Sequence, residues 1–350
     1  MAGKVATIQD VALRADVSLK TVSRFINGET NIRPALRERI AAAVRELGYQ
    51  PKLAARQLAG NRSYVIALIA LARAGSYNAR MMIAIGSAAR AVGYHLVTEL
   101  IDPADIPANG DFHIQLSLRP DSAILIPPFP DNGAILDFLE RQGIPTVRVA
   151  AVHEGYGTPI RVHDETITAD LIRHLIALGH RRIGIVAPPL PEKASETRIA
   201  GYHRALDEAG IPVDPLLMVR GTFTFSSGVD AANRLLALPQ RPTAIFATSD
   251  EMAMGVMARA QQMGYRIPQD LAVAGFDDFP ESRLSYPPLT TVRQPIDAIA
   301  RAAVFAATGR GGPVPELRHE LLVRGSTSGD GALCLEAEEE SLFWAPHAHL

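Results

Sequence analysis

Apolar positions follow two periods along this chain, and the period changes near Tyr64. Before that point the spacing is helical: Ile8, Val11, Ala12 and Ala15 share one face, and Thr7 with Asp10 three residues on forms a capping-box start. Ala15-Asp16-Val17 breaks the pattern, with Asp16 where a tight inter-helix turn needs a left-handed residue. Ser18 is placed to cap a second helix whose Val22, Phe25 and Ile26 point inward. Pro34 opens a third, with Leu36, Ile40, Ala43, Val44 and Leu47 as its buried stripe and Gly48 as its stop. The segment YQPKLAARQLAGNRS, 49–63, is too polar and too short to form a core, although 51–59 could make one or two helical turns.

From Tyr64 onward, continuous apolar runs of strand length alternate with amphipathic stretches. Strands are expected at 65–70, 95–100, 122–128, 145–150, 182–188, 244–249 and 271–276, and helices at 78–92, 132–142, 166–179, 195–210, 226–238 and 250–264. Strands without polar alternation are buried on both faces, so repeated βα units of this kind imply parallel sheets covered by helices. About 260 residues of the pattern exceed one doubly wound sheet. Two sheets with a cleft between them are therefore expected, with ligands beyond the carboxyl ends of the strands.

Composition sharpens the division. Residues 1–63 hold eleven Lys or Arg against five Asp or Glu, while the remainder holds 24 against 32. A small basic head on an acidic body fits a polyanion-binding module joined to something that does not bind polyanions. No apolar run reaches the roughly 18 residues of a membrane span and the start lacks the order of a signal peptide, so a cytoplasmic location is expected and no membrane partner. The single cysteine, Cys334, rules out an intramolecular disulfide framework.

A tight two-helix unit with a capped second helix is the geometry that lays a recognition helix in the DNA major groove. Leu19 and Lys20 fall in the first turn of that helix, with Arg24 further along its exposed side. Arg offers guanine a bidentate fork, Lys a donor, and Leu an apolar surface for a thymine methyl. Thr7, Ser18, Thr21, Ser23, Asn27 and Asn31 are small polar groups of the kind that bond phosphates and fix register. Spacing alone leaves open a helical hairpin with a solvated basic face.

The stretch TIQDVALRADVSLKTVSRFINGETNIRPALRERIAAAVRELGYQPKLAARQLAG resembles the LacI/GalR family of bacterial transcription regulators, and the resemblance extends from residue 7 to about 328. It implies a small all-α helix-turn-helix domain (1–48) joined by a hinge helix or linker (49–63) to a two-lobed α/β body (64–328) with parallel sheets, folded like a periplasmic binding protein. The N-lobe would hold about 64–160 and 293–318, and the C-lobe about 161–292 and 319–328. In the family the hinge pairs with its dimer mate and inserts a leucine into the minor groove, a wedge that trades unstacking energy for a bent duplex. The matching residue is Leu58, with Tyr49, Lys52 and Arg56 as further DNA contacts.

Three body stretches carry the resemblance further: LIRHLIALGHRRIGIV, SETRIAGYHRAL, and PTAIFATSDEMAMGVM followed by IPQDLAVAGFDDFPESRLSYPPLTTVRQP. By resemblance, Arg198 and Asp277 hold ligand hydroxyls between the lobes, Phe223 stacks on the ligand, and Ser249 stands where the family often has Asn. Plainer roles are open for each: Arg198 pairing with an acid on its own helix, Asp277 capping a turn, Phe223 in the core, Ser249 in a turn. The segment 70–82, ALARAGSYNARMM, departs from the common family pattern and leaves Ser76 as a further effector-binding candidate, and 101–120 is irregular for a strand-to-helix connection. Residues 329–350 lie beyond the family end and read as a frayed tail, His347 and His349 included.

Neither G-x-G-x-x-G nor G-x-x-x-x-G-K-[ST] follows a strand, His174, His180 and His203 lack zinc-ligand spacing, and the adjacent Asp277-Asp278 pair projects in different directions. No catalytic residue, metal or cofactor is expected. The expected protein is a homodimeric transcriptional repressor, with a tetramer left open, that reads pseudo-palindromic double-stranded operator DNA and answers a small effector, a sugar or glycoside. A solute-binding or sugar-processing protein on the same two-lobed fold is the competing reading.

Overall fold

The computed structural model describes residues 6–26, 31–49, 62–72, 75–107, 112–116, 118–189, 196–311 and 316–328. They fall into two compact units, one running to Val65 and taking in Arg119–Asp121, the other holding the rest. The first contains α1 (Ile8–Arg14), α2 (Leu19–Ile26) and α3 (Pro34–Leu47). Thr7 and Asp10 form the expected reciprocal capping box on α1, Asp16 takes φ 49° in the turn, and Gly48 ends α3 in the left-handed region. Val11, Val22, Ile40 and Ala43 close the core, with Phe25, Ile26 and Leu36 packed at its edge. At the far end of this unit the Asp121 carboxylate accepts from the main-chain N–H groups of Ser63 and Tyr64, at 2.7 and 3.0 Å. Tyr64 itself sits at φ 53°.

The second unit begins along β1 (Val65–Leu71) and continues through α4 (Ser76–Ala91), β2 (His95–Ile101), β3 (Ser122–Leu125), α5 (Gly133–Arg141), β4 (Thr146–Val149) and β5 (Thr158–Ile160). These strands form one sheet in the order β2-β1-β3-β4-β5, with β1/β3, β3/β4 and β4/β5 parallel. Arg148, in the middle of the apolar run of β4, is fully buried because Asp131 accepts from it at 2.9 Å and the His153 carbonyl at 3.1 Å.

Next come α6 (Asp164–Ala177), β6 (Ile183–Ala187), α7 (Glu196–Glu208), β7 (Met218–Arg220), α8 (Phe225–Leu236), β8 (Ala244–Ala247), α9 (Asp250–Gln262) and β9 (Ala272–Ala274). The second sheet is parallel throughout, in the order β7-β6-β8-β9. Its strands bury both faces: Ile183, Ile185, Phe246 and Ala274 enter one core, and Val186, Ile245, Ala247 and Val273 the other. This is the physical reason their sequences read as continuous apolar runs. After α10 (Pro280–Leu284) and β10 (Thr291–Arg293), α11 (Ile296–Thr308) packs on α4 and against β3 and β4 of the first sheet. The chain then returns as β11 (Glu320–Leu322), antiparallel to β10, and α12 (Gly325–Ser328). Among the described residues no helix is long and apolar enough to cross a membrane.

Candidate functional site

In the head, Ser18 Oγ accepts from the Thr21 N–H at 3.2 Å and lies 2.8 Å from Thr21 Oγ1, which fixes the start of α2. The helix buries Val22 and leaves Leu19 45% exposed, with Lys20 exposed beside it. An exposed leucine next to a lysine in the first turn is suited to a groove floor carrying methyl groups and acceptors. Thr21, Ser23 and Arg24 are partly exposed further along, and Thr7, Ser18 and Asn31 lie at the surface around them. Arg39 donates to the Asp16 carbonyl at 3.0 Å, so the inter-helix turn is held from α3. Tyr49 has a different place: only 9% exposed, it belongs to the core with Val11 and Ile40 rather than to the exposed face of α2. Asn27, Lys52, Arg56 and Leu58, together with the expected hinge helix, lie outside the described residues.

In the second unit, Arg198, Phe223, Ser249 and Asp277 each follow a strand of the second sheet, after β6, β7, β8 and β9 respectively. The sheet thereby gathers polar groups beyond the carboxyl ends of its strands, where α/β sheets bind ligands. Arg198 is 7% exposed. Its Nε donates to Asp164 Oδ2 at 2.9 Å and its Nη1 to the Thr248 carbonyl at 2.6 Å, and Nη1 stands 4.0 Å from Asp277 Oδ1. The guanidinium also lies 3.8 Å from the centre of the Phe276 ring. The acid that pairs with Arg198 is thus on α6 rather than on its own helix. Burial pushes the Asp164 carboxyl up, but Arg198 and His319, whose Nε2 is 3.1 Å from Oδ1, outweigh it and hold the group below the usual carboxylate range.

Asp277 and Asp278 are adjacent and opposite in character. Both take left-handed backbone, at φ 126° and 51°, a conformation costly for a side chain bearing Cβ. Burial pushes the Asp277 carboxyl up to about 8 despite the pull of Arg198, and Gln294 Nε2 donates to its Oδ1 at 2.6 Å. Burial also acts on Asp278, yet bonds from Arg324 (2.6 Å), Arg293 (2.7 Å) and Arg283 (3.2 Å) prevail and hold it at about 2. Burial thus favours the protonated form of Asp277, which can both donate and accept, facing a fixed guanidinium. Such a pair matches a ligand hydroxyl, which also donates and accepts.

The other candidates divide. Phe223, at φ 59° and partly buried, packs against the core on one face of the second sheet. Ser249 caps α9, its hydroxyl accepting from the Met252 N–H at 3.3 Å, so it carries the turn role that the sequence left open. Ser76 is exposed at the first position of α4, on the first sheet's side. Asp164, Thr248, Phe276, Gln294 and His319 belong to the cluster and were not singled out from sequence. Asp164 opens a helix after β5, a strand too short to read as one, and His319 is separated from Asp164 by 155 residues of chain.

Comparison with known proteins places the chain in a family. Residues 7–52 match the family model for bacterial regulatory proteins of the lacI family, and residues 172–327 match a periplasmic binding protein-like domain. Catabolite control protein A of Priestia megaterium is 32% identical over 311 residues, covering 86% of this chain and 91% of that protein. The HTH-type transcriptional repressor CytR of Escherichia coli strain K12 is 32% identical over 332 residues, covering 92% and 96%. Among solved structures, the lac repressor dimer bound to operator and the anti-inducer ONPF superposes with a TM-score of 0.70 at 28% identity, over 93% of this chain and 99% of that one. The complex of the transcriptional regulator CelR with cellobiose gives 0.64 at 28% identity, over 92% and 99%. The chain belongs to the LacI family of bacterial regulatory proteins.

Proposed function

We propose that this protein is a transcriptional repressor that binds pseudo-palindromic operator DNA as a homodimer and is released by a small polyhydroxylated effector, a sugar or glycoside. The observation that carries the DNA-binding part is the capped α2 with Leu19 and Lys20 exposed in its first turn, on a head with an excess of basic residues. Within it, Leu19, Lys20 and Arg24 read bases, and Thr7, Ser18, Thr21, Ser23, Asn27 and Asn31 hold phosphates. We assign residues 1–48 to the DNA-binding domain, 49–63 to a hinge carrying Lys52, Arg56 and Leu58, and 64–328 to a sensor with one lobe on each sheet. Tyr49, being core, acts on DNA through the packing of the head.

The sensor part is supported by the Arg198–Asp277 pair, whose donors and acceptors suit hydroxyl groups, with Phe223 offering an apolar face to a sugar ring. Dimerisation is supported by the likeness to the lac repressor dimer bound to operator. Such an effector acts as an inducer by binding the DNA-incompetent arrangement of the lobes more tightly, since only differential affinity shifts the equilibrium. The test is calorimetry with cellobiose and a panel of neutral sugars, run beside operator release and product analysis. A sugar that binds unchanged and releases operator fits the proposal; turnover of the sugar would assign an enzyme instead, and binding without any effect on DNA a solute-binding role.

A further inference from the structure

One contact joins the two sheets' sides of the second unit at the polar cluster itself. Arg80, on α4 beside the first sheet, donates from Nη1 to the main-chain carbonyl of Asp277 and to that of Asp278, both at 3.1 Å. Its guanidinium also lies 5.7 Å from the centre of the Phe279 ring. The two carbonyls belong to the two consecutive left-handed residues, where the backbone is held against its own preference. Among the described residues, Gln294 donates to the side chain of Asp277, and Arg283, Arg293 and Arg324 to that of Asp278. Arg80 therefore grips the main chain that orients Asp277.

We propose that Arg80 is a positioning residue of the effector site: reaching from the first lobe, it holds the Asp277–Asp278 main chain in the orientation that presents Asp277, and so ties the arrangement of the lobes to the state of the site. The inference rests on reading the Asp277 cluster as the effector site. Because Arg80 and an effector act on the same turn, they favour the same arrangement of the lobes. In a repressor released by its effector, that arrangement is the one with weaker hold on DNA. Loss of the Arg80 donors accordingly strengthens operator binding in the absence of effector.

The experiment compares the full-length protein with Arg80→Met, which keeps the stem over Phe279 and removes the donors, and with Arg80→Lys, which keeps charge and donors. Hydrogen exchange of amides 277–279 is followed without ligand, and operator affinity is measured by fluorescence anisotropy on a duplex selected by the wild-type protein. Exchange is expected to rise at least tenfold in Arg80→Met with β6 and β8 unchanged, operator Kd to fall at least threefold, and Arg80→Lys to restore most of both. Unchanged exchange would overturn the grip on the turn. Faster exchange with an unchanged or weaker operator affinity would overturn its tie to the lobes. If the wild-type protein selected no operator, the proposed function would fail, while the exchange arm would still judge Arg80.

Discussion

Two neighbouring aspartates show how far environment can separate identical side chains. Asp277, pushed up to about 8, stays protonated in the folded protein over the range in which the unfolded chain, with an ordinary value of 3.8, has already ionised. Its contribution to stability is therefore lost as pH rises from about 4 to 8. Asp277→Asn should melt higher than wild type at pH 8, and the gap should shrink toward zero near pH 4. Asp278, held at about 2, has the opposite sign: its contribution is present above about pH 4 and disappears as pH falls toward 2. Asp278→Asn should lose about 3 kcal/mol at pH 7, the low end for breaking a buried ion pair, with the loss fading below pH 4. Thermal melts across pH check both, and parallel curves for the two variants would refute the assignment. On the head, Arg24→Ala should weaken operator binding by about 1–3 kcal/mol, read by anisotropy, without altering sugar binding. At this scale sequence made Arg198 and Asp277 visible because they sit in quotable motifs. Asp164 and His319 escaped because their meeting is made by the fold, across 155 positions of chain that no local spacing connects.

Among the elements, parallel strands buried on both faces were legible as apolar runs, yet several are shorter than those runs. LAVAGF is a regular strand only over Ala272–Ala274, and two residues with left-handed backbone, Asp277 and Asp278, follow Phe276. The short strands β5, β7, β10 and β11 carry three residues each and give too little periodicity to stand out. The helices were clearer, and one pair makes a sharp prediction. Helices α8 and α9 approach so closely that a Cβ on Gly228 would lie 2.1 Å from the Met252 carbonyl oxygen, and one on Gly255 2.1 Å from that of Phe225. Both obstacles are main chain and cannot swing away. Gly228→Ala and Gly255→Ala should each cost about 1–3 kcal/mol through overpacking, measured by urea unfolding. Wild-type stability in either would contradict the crossing as described.

For the molecule as a whole, the basic head and acidic body were legible from charge alone, and the two parallel sheets from the change of hydrophobic period at Tyr64. What sequence periodicity does not carry is the return of α11 to the first sheet, since that depends on a partner surface on α4 some 200 residues earlier. The same return path brings β11 and His319 back beside Asp164, so the last crossing of the chain completes the polar cluster. A substitution there tests the sensor without touching the head. Arg198→Lys, which keeps a charge between Asp164 and Asp277 but loses the planar fork, should leave operator affinity within about twofold, a difference of roughly 0.4 kcal/mol, and abolish release by any sugar that releases the wild type. Titrations of bound operator with that sugar decide it, and normal release would remove Arg198 from the effector site.

The central claim, that the head reads a specific operator as part of a dimer, is tested most directly by selection of a randomised DNA pool with purified full-length protein, followed by affinity measurement on the enriched duplex. The account predicts a pseudo-palindrome with two half-sites, bound by one dimer and weakened at its specific bases by Arg24→Ala. No enriched sequence, or equal affinity for the enriched and a scrambled duplex at physiological salt, would contradict it.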